Sequence, residues 1–139
     1  MLSELAAEGY AGLADALEKS MRQTPPRDWL KTTGRAYIRF GLANPELYRM
    51  MFASQLMTAD RPERLWAESS RAYMILLQAA YQGLPEIDPA EYRLGGIELF
   101  GWSFVHGAMM LWLDELGPDV DQQAFLTLTE GILELKMRQ

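Results

Sequence analysis

The stretch from Phe100 to Leu113, FGWSFVHGAMMLWL, has no polar face when it is drawn as a helix. Its residues project onto two roughly opposite sides: Trp102, His106, Met109 and Leu113 on one, and Phe100, Phe104, Gly107 and Leu111 on the other. A helix that is apolar all round must be covered all round. One side can pack on the chain's own core. The other side needs further helices, either from this chain or from a second copy.

The rest of the chain also has the periodicity of helices. The 139 residues are 49% hydrophobic, which is enough for one domain with a core. Strand-like alternation and hairpin dipeptides are missing, and prolines separate long periodic segments. The pattern predicts an all-α domain of about six helices. Their expected ranges are 2–22, 26–43, 45–56, 62–82, 89–116 and 121 to the C-terminus.

Residues around the prolines predict where several of these helices begin and end. Asn44 is a natural N-cap, and Pro45 suits the first helical position after it. The run DPAE, 88–91, has the pattern of a capping box at the start of the fifth helix. Gly83 followed by Pro85 predicts that the fourth helix stops just before them.

Composition excludes several classes of function. The net charge of −6 predicts that this chain does not itself bind nucleic acid or an anionic membrane surface. The chain lacks cysteine, a hydrolase nucleophile elbow, a phosphate-binding glycine loop and an H-E-x-x-H motif. We therefore expect no enzyme activity, no metal and no cofactor. The acidic start lacks the pattern of a signal peptide, and the longest apolar run is too short to span a bilayer, so we expect a cytoplasmic protein.

His106 is the only histidine in the chain. One interpretation is a buried neutral imidazole that hydrogen-bonds to a neighbouring helix and fixes how the helices pack. A second is a polar anchor for a ligand in an apolar cavity. A catalytic or metal-binding role is a third, and it has little support because no second histidine exists. Gly107, directly after it, is expected to allow close approach of another helix.

The fifth and sixth helices carry more apolar residues than one core face needs. This surplus predicts a homodimer through a four-helix interface formed by these two helices and their symmetry mates. A large monomeric core is the alternative. The expected interface residues are Phe104, Leu111, Phe125, Leu128, Ile132 and Leu135.

Three segments together resemble one protein family. WSFVHG, 102–107, matches the W-x-x-x-H-G signature in one branch of TetR/AcrR-type bacterial transcriptional regulators. GRAYIRFGLANPELYRMMF, 34–52, looks like a helix pair of the same branch, and LSELAAEGYAGLADALEKS, 2–20, is similar to its connecting helix. The resemblance covers essentially the whole chain, and it lies in the C-terminal, regulatory domain of such proteins.

The resemblance implies a division of labour. Residues 1–22 would be the connecting helix, and residues 23–139 the ligand-binding and dimerisation domain. Nothing in the chain corresponds to the basic helix-turn-helix domain of these regulators. DNA would therefore be contacted only through an N-terminal domain that this chain lacks. The family's function would be that of a repressor that releases DNA when a small molecule binds.

The helix faces predict which residues would line the ligand cavity. Methionines and aromatics with few polar groups favour an apolar or aromatic effector. The predicted ligand-binding residues are Tyr37, Phe40, Met51, Phe52, Tyr73, Leu77, Trp102, His106 and Met109. Core packing is the competing interpretation for each apolar member. A helical dimerisation or protein-interaction module without a ligand is the alternative function, and a solid core would favour it.

Overall fold

The computed structural model describes residues 2–53, 62–82 and 97–137. Within these ranges the chain forms six α-helices and no strand, which confirms the all-α prediction. A short 3₁₀ turn at Pro26–Asp28 precedes α2. The helices are α1 Leu2–Arg22, α2 Trp29–Ala43, α3 Pro45–Met51, α4 Glu63–Gln82, α5 Ile97–Leu113 and α6 Gln122–Met137.

Helix α3 is shorter than predicted, since it ends at Met51 instead of continuing towards residue 56. The Met51 carbonyl accepts a hydrogen bond of 2.9 Å from the Tyr10 hydroxyl of α1. This side-chain donor satisfies a carbonyl that the next helical turn would otherwise use. The ring of Phe52 then packs against Tyr10, with ring centroids 5.4 Å apart.

Helix α5 also ends early, at Leu113 instead of Leu116. Glu115 adopts a left-handed conformation with φ of 58°. The Leu116 N–H then donates to the Leu111 carbonyl at 2.9 Å, and the Glu115 N–H donates to the Trp112 carbonyl at 3.1 Å. These two bonds form a Schellman motif, in which glycine is the usual left-handed residue.

The cap at Asn44 differs from the prediction. Asn44 does precede α3, but its side chain makes no capping bond to that helix. Its amide instead donates to the Phe40 carbonyl at 3.0 Å and so caps the C-terminus of α2. Asp121, in contrast, caps α6 by accepting the Ala124 N–H at 2.8 Å. The predicted capping box at 88–91 lies outside the described residues.

Helix α2 is at the centre of the domain and contacts α1, α4, α5 and α6. Helix α1 packs most extensively on α4 and also contacts α2 and α3. The packing of α2 on α5 is tight at Gly41, where an added Cβ would lie 2.6 Å from the Met109 methyl carbon. The largest fully buried side chains are Tyr37, Tyr48, Leu13, Leu17, Ile38, Met51, Leu65, Met109 and Leu133.

Candidate functional site

Two buried tyrosines connect His106 to the centre of the domain. The Tyr37 hydroxyl of α2 lies 2.7 Å from the Tyr48 hydroxyl of α3. The Tyr48 hydroxyl lies 2.7 Å from Nδ1 of His106 on α5. Both tyrosines are fully buried, and His106 is half-buried. A chain of hydrogen bonds therefore joins three helices at this point.

The buried hydroxyl of Tyr37 sets the direction of this chain of hydrogen bonds. Among the described residues, the acceptor for its proton is the Tyr48 hydroxyl, and a fully buried hydroxyl needs a partner. Tyr37 therefore donates to Tyr48, and Tyr48 donates to Nδ1 of His106. In this arrangement each hydroxyl proton has an acceptor. The acceptor role of Nδ1 assigns the proton of neutral His106 to Nε2.

Burial keeps all three titratable groups neutral. It raises the pKa of Tyr37 and of Tyr48, because the phenolate form would lose its hydration. It lowers the pKa of His106 for the same reason, since imidazolium is the charged form. A proton on Nδ1 would also force Tyr48 to donate to Tyr37 and leave the Tyr37 hydroxyl proton without an acceptor. The network is therefore built around a neutral imidazole.

Phe52 extends the cluster towards α1. Its ring centroid lies 4.3 Å from that of His106 and 4.8 Å from that of Tyr48. Tyr10 contacts the ring of Phe52 and, through its hydroxyl, the last carbonyl of α3. Arg49 of α3 forms an ion pair of 2.8 Å with Asp114 at the end of α5. These contacts connect α1, α3 and α5 around His106.

Trp102 and His106 lie one helical turn apart on α5, with Trp102 near the Tyr37 end of the tyrosine pair and His106 hydrogen-bonded to the Tyr48 end. This gives the W-x-x-x-H spacing a physical role, because residues four apart share a helix face. Tyr73 of α4 adds a ring on the Trp102 side, with centroids 5.2 Å apart. The structure thus brings five of the predicted ligand residues, Tyr37, Phe52, Tyr73, Trp102 and His106, into one cluster.

The other predicted ligand residues differ in position and exposure. Met51 and Met109 are fully buried core residues, whereas Leu77 is half-buried. Phe40 lies apart from the cluster and lines an open groove between α1, α2 and α6.

Sequence reasoning did not select Tyr48 or Tyr10 as site residues. Tyr48 lies in the motif LYRMMF that carried the resemblance. The sequence feature that could have indicated its role is a phenol at an apolar helix position. A buried hydroxyl requires a hydrogen-bond partner, so such a tyrosine predicts a contact with another polar group. Tyr10 lies on the buried side of α1 and gave no comparable signal.

The space between α2 and α5 is small where described residues surround it. A void of about 10 Å³ is lined by residues of α2, α4, α5 and α6, including Trp102. That volume is close to the lower limit for one water molecule. A much larger open groove of about 680 Å³ lies between α1, α2 and α6.

The predicted interface residues fall into two groups. Leu111, Leu128 and Ile132 are 50%, 50% and 45% exposed. Phe104 is half-buried, and its ring stacks on that of Phe100 with ring centroids 6.3 Å apart. Phe125 is only 4% exposed, because it packs inside the same chain against Trp112 with ring centroids 4.6 Å apart. The side chain of Leu135 lies outside the described part of the structure.

The geometry defines an all-helical domain with one histidine at the end of a buried tyrosine pair and with an exposed apolar face on its last two helices. A family model for the tetracyclin repressor-like C-terminal domain matches residues 30–129. The chain therefore belongs to this family, which confirms the resemblance drawn from the sequence. The narrower W-x-x-x-H-G branch stays a prediction.

One solved structure has a similar fold. It is a protein of unknown function from Rhodococcus sp. RHA1, with a TM-score of 0.77 and 18% sequence identity. The match covers 95% of this chain and 70% of that chain. At this identity the likeness concerns the fold alone. No curated protein matches the chain, and no helix in the described ranges is long and apolar enough to cross a membrane.

Proposed function

We propose that this chain is the effector-binding and dimerisation domain of a cytoplasmic transcription regulator, a repressor that an apolar small molecule releases from DNA. Membership of the tetracyclin repressor-like family supports the regulatory role. The chain would perform no catalytic step. DNA would be contacted by a helix-turn-helix domain that precedes residues 1–22, and residues 23–139 would hold the effector.

The effector site is inferred from one observation: the two ring nitrogens of His106 have different surroundings. Nδ1 is held by Tyr48 at 2.7 Å, so it fixes the position of the ring. Nε2 carries the proton and has no hydrogen-bond partner among the described residues. A half-buried N–H donor on a ring that packs against Phe52 suits an apolar or aromatic ligand that carries one acceptor. The same histidine would then act as a structural pin and as a ligand anchor.

The contacts of α1 suggest how effector binding would reach the DNA-binding part. Tyr10 of α1 contacts the ring of Phe52, and Phe52 in turn contacts His106. A ligand against Phe52 and His106 would therefore change the surface on which α1 rests. To shift the equilibrium between two positions of α1, the ligand must bind the protein more tightly in one of them.

The exposed face of α5 and α6 supports a homodimer. Leu111 of α5 and Leu128 and Ile132 of α6 leave a large part of their apolar surface in water. Gly107 and Gly131 lie on the same two helices, and a Cβ built on either one meets no atom within 4 Å. A mid-helix glycine costs about 1 kcal/mol relative to alanine, so a packing reason is expected. Close approach of a second copy would supply that reason.

A thermal-shift screen tests the effector site. A ligand present at one hundred times its dissociation constant stabilises the folded protein by about 2.7 kcal/mol. We expect hits among apolar and aromatic compounds that carry a single acceptor. His106→Phe keeps a ring against Phe52 but removes the Nε2 donor, so the ligand shift should be lost.

Tyr48→Phe is the matched control for this screen. It removes the support of Nδ1 and leaves Nε2 in place, so it should lower the melting temperature and keep most of the ligand shift. If the hits stabilise His106→Phe as much as the unmodified protein, the proposed anchor is wrong.

A second candidate function is a helical dimerisation or protein-interaction module without a small-molecule ligand. The void of about 10 Å³ between α2 and α5 favours it, because no ligand fits in that space. This function predicts no thermal shift with any apolar compound. It predicts at the same time that the apolar face of α5 and α6 still forms a dimer.

A further inference from the structure

The open groove between α1, α2 and α6 is chemically unlike the aromatic cluster around His106. Its volume is about 680 Å³, within the range of about 300–1,000 Å³ typical of small-molecule sites. Phe40 is the only predicted ligand residue that lines it. The groove is therefore a separate place on the domain.

Cationic side chains dominate the rim of this groove. Lys31, Arg35 and Arg39 lie at i, i+4 and i+8 on α2, so they form one row along the helix. Lys19 of α1 adds a fourth positive charge, and among the described residues two carboxylates, Glu130 and Glu134, line the groove. The whole chain carries a net charge of −6. Like charges at i, i+4 destabilise a helix, so this row lowers the stability of α2. A role in binding an anionic ligand would explain why the row is present.

One member of the row already binds a carboxylate. Arg35 forms an ion pair with Glu130 of α6 at the wall of the groove. None of the ion pairs found within the described residues involves Lys19, Lys31 or Arg39. Lys19, Lys31 and Arg39 therefore remain available, and Arg35 keeps N–H donors beyond the Nε–H that faces Glu130.

The groove also offers an apolar surface. Ala16, Ala36, Phe40 and Ala43 line it between the charged residues. Phe40 is half-buried, and its ring edge would lie 3.3 Å from a Cβ added at Gly12 of α1, so the ring is held in place. A ligand that matches this lining has an anionic head and an apolar body.

We propose that the groove binds a small amphipathic anion, such as a carboxylate with an aliphatic or aromatic body. The head would lie on Lys31, Arg35 and Arg39, and the body over Ala36 and Phe40. This site is independent of the effector site at His106. An organic monoanion fits better than a larger polyanion, because Glu130 and Glu134 would repel additional negative charge at the α6 wall.

Isothermal titration calorimetry with decanoate, below its micelle concentration, tests the site. Decanoate should bind the unmodified chain, and binding should weaken severalfold as ionic strength rises from about 20 to about 300 mM. Arg39→Glu should weaken binding by at least about fivefold, because it removes one charge-assisted hydrogen bond and adds repulsion. Arg39→Gln should have a smaller effect in the same direction.

Two controls make the result specific. Arg64→Glu makes the same charge change at an exposed position of α4 that does not line the groove, so the affinity should stay within about twofold. Decanol, the neutral analogue, should not compete with decanoate. Circular dichroism melting of each variant shows that it is folded.

Four outcomes would overturn the proposal: no decanoate binding, equal binding by Arg39→Glu, equal weakening by Arg64→Glu, or competition by decanol. Tight binding of a glutamate-rich peptide without decanoate binding would assign the groove to a protein partner instead. The screen of neutral compounds at His106 is unaffected by any of these results.

Discussion

At the scale of single residues, His106 shows how one imidazole serves an apolar helix. Nδ1 accepts from a buried tyrosine, Nε2 keeps the proton, and Phe52 packs on the ring. The sequence presented a structural pin and a ligand anchor as competing interpretations. The two nitrogens make them compatible, because the hydrogen bond on one decides the protonation of the other.

The lowered pKa of His106 predicts how stability depends on pH. The unfolded histidine titrates near its ordinary value of about 6.5, and the folded one at lower pH because of burial. Between these two values the unfolded chain binds more protons. Stability should therefore be constant above the unfolded pKa and fall as pH drops through that window.

Urea denaturation between about pH 7.5 and about pH 5.5 measures this effect. Because His106 is the only histidine, His106→Phe should remove most of the dependence in this interval. An unchanged slope in the variant would assign the effect to other groups.

Glu115 gives a second prediction at the residue scale. It occupies the left-handed position of the Schellman motif after α5, where a Cβ costs about 1–2 kcal/mol relative to glycine. Glu115 is exposed, so Glu115→Gly should stabilise the domain by roughly 1 kcal/mol. Glu115→Ala keeps the Cβ and should not. Denaturant midpoints of the two variants decide between these expectations.

At the scale of secondary-structure elements, sequence periodicity predicted α1 and α4 to within one residue at each described end. Both are long helices with one regular apolar face. The ends of α3 and α5 were missed because a tertiary hydrogen bond from Tyr10 and a left-handed glutamate decide them. Asn44 stands at the predicted N-cap position of α3, but its side chain bonds to α2, because it lies between two helix ends and can bond to either. The junction of Tyr37 and Tyr48 depends on the angle between α2 and α3, which periodicity does not encode.

The ion pairs between α1 and α4 give a prediction at this scale. Arg71 of α4 contacts Asp15 and Glu18 of α1 and Glu68 of its own helix. The hydrogen bond to Asp15 raises the pKa of Arg71. The Arg71 side chain is partly exposed, so water screens its ion pairs. Arg71→Met keeps most of the packing of the side chain. We expect a loss of less than about 1 kcal/mol at low salt and almost none at high salt.

Urea midpoints of the unmodified protein and Arg71→Met at two salt concentrations measure this. A large loss that salt does not reduce would show that Arg71 holds α1 through packing and not through charge.

At the scale of the whole molecule, the six helices cover only one side of α5. Val105 and Met109 are buried, whereas Leu111 on the other side is half-exposed. Within the described part of one chain, no helix covers the second side of α5 at Leu111. A second copy with the same exposed face can cover it through a two-fold interface, in which each chain presents the same patch.

Introducing a charge into that patch tests the dimer. Leu128→Asp or Ile132→Asp places a carboxylate where two apolar faces would meet, so each variant should be monomeric. Leu116→Asp is the control, because Leu116 is 73% exposed and follows the end of α5. It should leave the dimer intact. Light scattering after size exclusion at micromolar concentration gives the mass directly. If the unmodified chain elutes as a clean monomer, the apolar face on α5 and α6 has another partner.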